Sequence, residues 1–293
     1  MILNTELEHK GNLAPSKIAS YKKDGNKLYF TSENKVILEL TIERDSVLRF
    51  RYSTTGIFDK DFSYAITKYA SKGFNHLEID ENKEVYIITT SKLICHISKL
   101  DLRKSIFDKK TKALICEDEL GFHWEESYEL GGDIVKMSLA SQESESYYGL
   151  GDKPVENNLK GKRFKNWVTD SYAYARNTDP IYKTIPFYTA IHHQKSYGIF
   201  FDNTFPTFFD FCNEKRNVTS FWAEGGEMNY YFIYGPNMND VVSNYTDLTG
   251  RPQHIPPLWA LGFHQCKWSY YPDTKVKEIA KGFRDLRIPC DAI

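Results

Sequence analysis

The sequence predicts a mainly β protein, a sandwich of two packed sheets that gives way late in the chain to a single β-α-β unit. Three observations predict it. From about residue 26 to residue 234, apolar side chains recur with a period of two and turn residues interrupt them often. Phe, Trp and Tyr make up 15% of the 293 residues, and aromatic side chains favour strands. After Pro236 the period lengthens to that of a helix, and a nearly continuous apolar run follows.

The strands read in order. Leu28-Tyr29-Phe30 and Val36-Ile37-Leu38-Glu39-Leu40 open the pattern. In Leu48-Arg49-Phe50-Arg51-Tyr52 the apolar side chains share one face and the arginines the other, as a half-buried antiparallel strand requires. Val85-Tyr86-Ile87-Ile88, Val135-Lys136-Met137-Ser138-Leu139, Tyr197-Gly198-Ile199-Phe200-Phe201 and Tyr230-Tyr231-Phe232-Ile233-Tyr234 repeat the theme. Between Tyr147 and Tyr182 the glycines and prolines predict one long ordered loop of the kind that often carries function. Pro236-Asn237 starts a helix with Val241, Val242, Tyr245 and Leu248 on one side, ended by Gly250-Arg251-Pro252.

Beyond that point Leu258 to Phe263 predict a strand buried on both faces. Asp273 is an expected N-cap for a helix with Val276, Ile279, Ala280, Phe283 and Leu286 on one stripe, stopped by Pro289. Cys290-Asp291-Ala292-Ile293 opens a further buried strand. The expected domains are residues 1–250 and 251–293. The second is expected to be incomplete, because a β-α-β unit needs neighbours and 37 residues from Pro257 are far short of the roughly 250 of an eight-fold barrel.

Composition narrows the function classes. With 38 Lys plus Arg against 39 Asp plus Glu, the net charge of -1 disfavours nucleic-acid binding. No apolar run reaches the roughly 20 residues of a membrane helix, and the N-terminus lacks a secretory pattern, so a cytoplasmic location is expected. Cys95, Cys116, Cys212, Cys266 and Cys290 are widely spaced and fit reduced, buried thiols. His192-His193, adjacent on a strand, are expected to point to opposite faces, so no metal site is predicted.

Five segments then occur in a telling order: Tyr148-Gly149-Leu150-Gly151-Asp152-Lys153; Trp167-Val168-Thr169-Asp170-Ser171-Tyr172; Thr178 through Phe187; Tyr197 through Asn203; and Gly250-Arg251-Pro252 through Gly262. Together they resemble glycoside hydrolase family 31, closely over about residues 140 to 293. The resemblance implies a galactose mutarotase-like β-sandwich leading into the first β-α-β unit of a (β/α)8 barrel. It implies retaining hydrolysis of terminal α-linked glucose or xylose, with an oligosaccharide or α-glucoside as substrate and no metal or organic cofactor. Two carboxyl groups about 5 to 5.5 Å apart do that chemistry, and in the family both are aspartates on later barrel strands, expected beyond residue 293. No catalytic residue is therefore assigned within the chain.

By the same resemblance Asp170 matches an aspartate that hydrogen-bonds a substrate hydroxyl, the bland alternative being an Asx turn. Trp268, expected where barrel active sites open, is a candidate wall of the sugar pocket. Trp167 and Tyr172 are expected to anchor the loop, Asp179 to hold a turn before Pro180, and Asp291 to be structural. The competing reading is a non-catalytic carbohydrate-binding or interaction module. Association into a homo-oligomer through the apolar faces around Leu258 to Phe263 and Val276 to Leu286 is a further expectation.

Overall fold

The computed structural model describes residues 13–67, 73–74, 76–127, 132–193 and 195–293, which divide into two compact units at Gly250/Arg251. The first unit carries seventeen strands among its described residues: β1 (Ile18–Asp24), β2 (Lys27–Ser32), β3 (Ile37–Arg44), β4 (Val47–Ser53), β5 (Leu77–Glu81), β6 (Val85–Thr90), β7 (Leu93–Ser98), β8 (Lys104–Asp108), β9 (Leu114–Ser127), β10 (Gly132–Ala140), β11 (Ser146–Gly151), β12 (Lys162–Asn166), β13 (Thr184–His192), β14 (Lys195–Phe201), β15 (Thr207–Phe211), β16 (Val218–Ala223) and β17 (Met228–Gly235). Eight form a sheet in the order β1-β2-β3-β4-β17-β14-β13-β11, and nine form a second in the order β12-β15-β16-β10-β9-β8-β7-β6-β5. Hairpin neighbours pair antiparallel, as in Leu40 opposite Phe50 and Ile106 opposite Cys116.

The alternation in the sequence becomes the burial pattern. In β7 Leu93, Cys95 and Ile97 are buried and the residues between them are partly open. The aromatic excess goes mainly into the core: Phe50 stacks on Tyr230 at 5.3 Å, Tyr52 on Phe122 at 4.4 Å and Tyr147 on Phe211 at 4.8 Å. Each such ring contributes about 1.5–3 kcal/mol by leaving water. One ion pair sits among them. Lys104 Nζ meets Asp118 Oδ1 at 2.5 Å with both side chains buried, and lies over the rings of Phe50 and Tyr230 at 5.1 and 5.3 Å. Burial pushes the Asp118 carboxyl up, against the pull of Lys104.

The central strands depart from the half-buried expectation. β4 is buried at every position, Arg49 and Arg51 included. The alternation correctly separates the two faces, but residues 54–66 cover the arginine face. Arg49 donates to both carboxylate oxygens of Asp61 at 3.1 and 2.8 Å and to Asn229 Oδ1 at 2.8 Å. Arg51 pairs with Glu227 and donates to the Asp59 carbonyl at 2.7 Å. Further along the same face, helix α1 (Met238–Thr249) makes a second core. Asn237 Oδ1 caps it by accepting from Asp240 N at 3.1 Å, and Val241 and Leu248 pack with Val47, Phe200, Tyr231 and Ile233. Val242, expected on the same side, is 43% exposed.

The expected single loop from Tyr147 to Tyr182 is instead interrupted by β11 and β12, leaving connections at 152–161 and 167–183. Glycine misled here, because Gly149 and Gly151 sit inside a strand for steric reasons. A Cβ on Gly149 would fall 2.6 Å from the Phe187 carbonyl, and one on Gly151 2.7 Å from that of Lys183, each at positive φ.

The second unit differs from expectation in three ways. Leu258–Leu261 form a short 3-10 helix with no buried residue rather than a strand. Past this segment one parallel bridge forms among the described residues, His264 with Ala292. Parallel strands need ladder partners on their edges, and an apolar run without them cannot hold its N–H and C=O groups extended. Helix α2 (Asp273–Asp285) starts one residue earlier than expected, with Pro272 at the N-cap and Asp273 inside the first turn, paired with Lys277 at 2.7 Å. Cys290 is buried and Cys266 exposed, the latter against the expectation of uniformly buried thiols. No helix among the described residues is long and apolar enough to cross a membrane.

Candidate functional site

The connection from β12 to β13, residues 167–183, carries Asp170, and its two ends are tied together. Lys153, from the preceding connection, is the tie: its Nζ donates to Asp179 Oδ1 at 2.6 Å and to the Lys165 carbonyl at 2.9 Å. Asp179 Oδ2 also accepts from Lys165 N at 2.5 Å. Asp179 thus joins the end of the loop to its beginning, which is a structural task. Burial pushes the Lys153 ammonium below its ordinary range while Asp179 pulls it back.

Further out the ties are backbone-directed. Ser171 Oγ donates to the Pro180 carbonyl at 3.1 Å, Tyr182 Oη to the Ser171 carbonyl at 2.6 Å, and Asn177 N to the Pro154 carbonyl at 2.9 Å. Tyr182 also meets Tyr174 edge-on at 6.0 Å. Within this frame the Asp170 carboxylate is open to solvent and makes no hydrogen bond or ion pair among the described residues. The Asx turn that would explain an Asp-Ser pair locally is not formed. A fixed loop with an unpaired carboxylate can accept two hydroxyl protons from one polyol without first breaking a bond of its own.

The flanking aromatics are not the anchors the sequence suggests. Trp167 is 47% and Tyr172 87% exposed, so the anchoring falls to Lys153, Asp179 and Tyr182. Val168, beside Trp167, is exposed as well. Trp268 lies in the second unit and is 91% exposed. Asp170 and Trp268 therefore belong to different units. Asp291 Oδ2 accepts from Phe263 N at 3.0 Å, a structural contact within the second unit.

At the root of the loop lies a cleft of about 310 Å³ walled by Trp167 and Phe205, with Asn166, Thr184, Asn203 and Thr207 among its lining. Asn166 Oδ1 and Thr184 Oγ1 are buried without a hydrogen-bond partner among the described residues. Each such atom costs about 1–3 kcal/mol. Sequence reasoning missed this cleft, because its residues come from three stretches brought together only by the pairing of β12 with β15 and by the approach of β13.

The histidine pair also differs from expectation. His192 ends β13, and His193 turns to φ +45°, so alternation stops and the rings meet, Nδ1 to Nδ1 at 3.4 Å. His192 Nε2 is held by the Ile115 carbonyl at 2.7 Å. Among the described residues no group of three metal-ligating side chains occurs.

The first unit is a two-sheet antiparallel sandwich, and its class is defined by similarity. Residues 37–210 match the glycosyl hydrolase 31 N-terminal galactose mutarotase-like domain, and residues 253–293 match the TIM-barrel domain of glycosyl hydrolases family 31. The chain belongs to glycoside hydrolase family 31. It is 33% identical over 258 residues to alpha-glucosidase 2 of Bacillus thermoamyloliquefaciens, covering 88% of this chain and 32% of that protein. It is 27% identical to the isomaltosyltransferase of Sporosarcina globispora, covering 90% of this chain and 24% of that protein. Among solved structures, a family 31 dextranase of Flavobacterium johnsoniae in complex with isomaltotriose aligns with a TM-score of 0.84 and 34% identity, covering 94% of this chain and 33% of that one. The chain spans about a third of the length of these relatives or less.

Proposed function

We propose that this chain is the N-terminal part of a retaining α-glycosidase acting on terminal α-linked glucose or xylose. In this reading one carboxylate attacks the anomeric carbon while a carboxylic acid protonates the leaving oxygen, and both lie outside residues 1–293. The sandwich supports the barrel, and the loop at 167–183 contributes Asp170 to the substrate pocket. Trp268 is assigned by the same reading to sugar contact. The assignment rests on the match of residues 37–210 and 253–293 to the two family 31 domains, and the role given to Asp170 on its being open to solvent and unpartnered among the described residues while the ends of its loop are tied by Lys153 and Asp179.

Asp170 would accept hydrogen bonds from sugar hydroxyls, and a charged acceptor is worth about 1.5–3 kcal/mol. In the full-length gene product, Asp170→Asn is expected to lower kcat/KM for an aryl α-glucoside by about 10- to 100-fold. A change within twofold would remove Asp170 from the pocket. Residues 1–293 alone are expected to show no turnover, and measured hydrolysis by that material would place the catalytic carboxylates inside them.

A further inference from the structure

We propose that Tyr182 is the positioning residue for Asp170, an assignment that rests on the reading that places Asp170 in the substrate pocket. The Tyr182 hydroxyl, bonded across the loop to the carbonyl of the next residue, Ser171, sets where the Asp170 carboxylate points.

The Asp170 side chain makes no bond of its own among the described residues, so its direction depends on its backbone. The ties of the loop serve different parts of it. Lys153 and Asp179 join the two ends, while midway Arg176 pairs with Glu156 and Asn177 N donates to the Pro154 carbonyl at 2.9 Å. Thr169 Oγ1 donates to the Trp167 carbonyl at 3.1 Å, a contact inside the outgoing limb that crosses nothing. Beside Asp170 the crossing is made at residue 171. Tyr182 Oη donates to the Ser171 carbonyl at 2.6 Å, and Ser171 Oγ donates to the Pro180 carbonyl at 3.1 Å. Consecutive Cα atoms are about 3.8 Å apart, so this is a hold on the immediate neighbour of Asp170.

The limb from which Tyr182 reaches is itself fixed. Ile181 is 3% exposed, Asp179 accepts from Lys153 and from Lys165 N, and β13 begins at Thr184. The Tyr182 ring is braced edge-on by Tyr174 at 6.0 Å. A donor on a fixed limb and an acceptor next to Asp170 carry the position of the strand to the loop, which is the task of a supporting residue behind a binding group.

The turn that this bond closes does not hold itself. Ala173 stands at φ +48°, in the left-handed region that is costly for alanine. Strain of this kind persists only where surrounding bonds impose it. The two bonds at residue 171 close the turn on the Asp170 side, and without the Tyr182 hydroxyl only the longer one is left. The turn can then relax and carry Asp170 with it, and small displacements of a binding group are expensive in rate.

The test is a double-mutant cycle in the full-length gene product with an aryl α-glucoside. Tyr182→Phe keeps the ring and removes only the oxygen, and it is expected to lower kcat/KM about three- to tenfold. In an Asp170→Ala background the same change is expected to cost less than about 1.5-fold, because the group it positions is gone. A role confined to the stability of the loop would lower both backgrounds by one factor. Tyr182 is 44% exposed and outside both cores, so the variant folds, which the Tm checks. Amide exchange at residues 170–173 of the 293-residue chain is expected to rise severalfold in Tyr182→Phe. A kcat/KM for Tyr182→Phe within about 1.5-fold of the parent, or an equal loss in both backgrounds, would overturn the proposal. A large loss in Asp170→Ala with none in Tyr182→Phe removes only the positioning role. Asp170→Ala within about twofold of the parent would instead remove Asp170 from the pocket, and the role of Tyr182 with it.

Discussion

Two loops on the sandwich put a carboxylate to opposite uses. In residues 54–66 Asp61 holds Arg49, Ser63 donates to Asp202 at 2.9 Å, and Asp59 N and carbonyl engage Glu227 and Arg51. The loop at 167–183 is tied at its ends through Lys153 and Asp179 and midway by the pairing of Arg176 with Glu156, and leaves Asp170 open. The first is a cover for a buried arginine face. The second is a loop tied at its ends with an unpaired carboxylate, and on the proposed reading that carboxylate would meet a ligand without first giving up a protein contact.

The contrast breaks most easily at the buried arginines. Glu227→Ala leaves the buried Arg51 guanidinium without its carboxylate and is expected to cost about 3–5 kcal/mol in urea unfolding. A loss below about 1 kcal/mol would show that the 54–66 cover is not structural. Lys153→Met removes the tie of the other loop but leaves Asp179 its bond from Lys165 N, so the expected loss is smaller, about 1.5–3 kcal/mol. In the full-length enzyme it should also raise KM, because the arm swings; an unchanged KM would mean the tie does not position Asp170. Asp170→Asn is expected to shift stability by no more than about 0.5 kcal/mol, since an exposed carboxylate with no partner among the described residues has little to lose.

The smallest effect is one of pH. The Arg49 guanidinium hydrogen-bonded to Asp61 holds that carboxyl down at about 2, against the burial that raises it and below its ordinary value of 3.8. A carboxyl lowered by folding stabilises the folded form above its unfolded value and loses that contribution as pH falls through the folded one. Amide exchange in residues 54–66, relative to its intrinsic rate at each pH, should therefore rise between about pH 4 and pH 2, and Asp61→Asn should flatten that rise. An identical rise in both proteins would assign it elsewhere.

Much of this was legible in the sequence, for reasons that particular residues make plain. Alternation in stretches such as Val36 to Leu40 fixes which side chains face inward, and antiparallel hairpins find their partners nearby, so the sandwich follows from local pattern. What covers the outer face does not. Arg49 and Arg51 read as exposed because their partners Asp61, Glu227 and Asn229 come from an irregular loop and from a strand far along the chain. The apolar run at Leu258 reads as a strand, yet a parallel strand is made by neighbours, and among the described residues the one bridge here, His264 with Ala292, lies just past the run. The motif singles out Asp170, and the structure shows it exposed, whereas the cleft beside it depends on Asn166, Thr184 and Phe205 meeting in space and left no mark in their spacing.

The most direct measurement is a crystal structure of the full-length enzyme with an α-glucoside in its active centre. The expected result is a carboxylate oxygen of Asp170 within about 2.5–3.2 Å of a sugar hydroxyl, with Lys153 still joined to Asp179. An Asp170 carboxylate more than about 4 Å from every atom of the bound sugar, with the loop otherwise ordered, would contradict it.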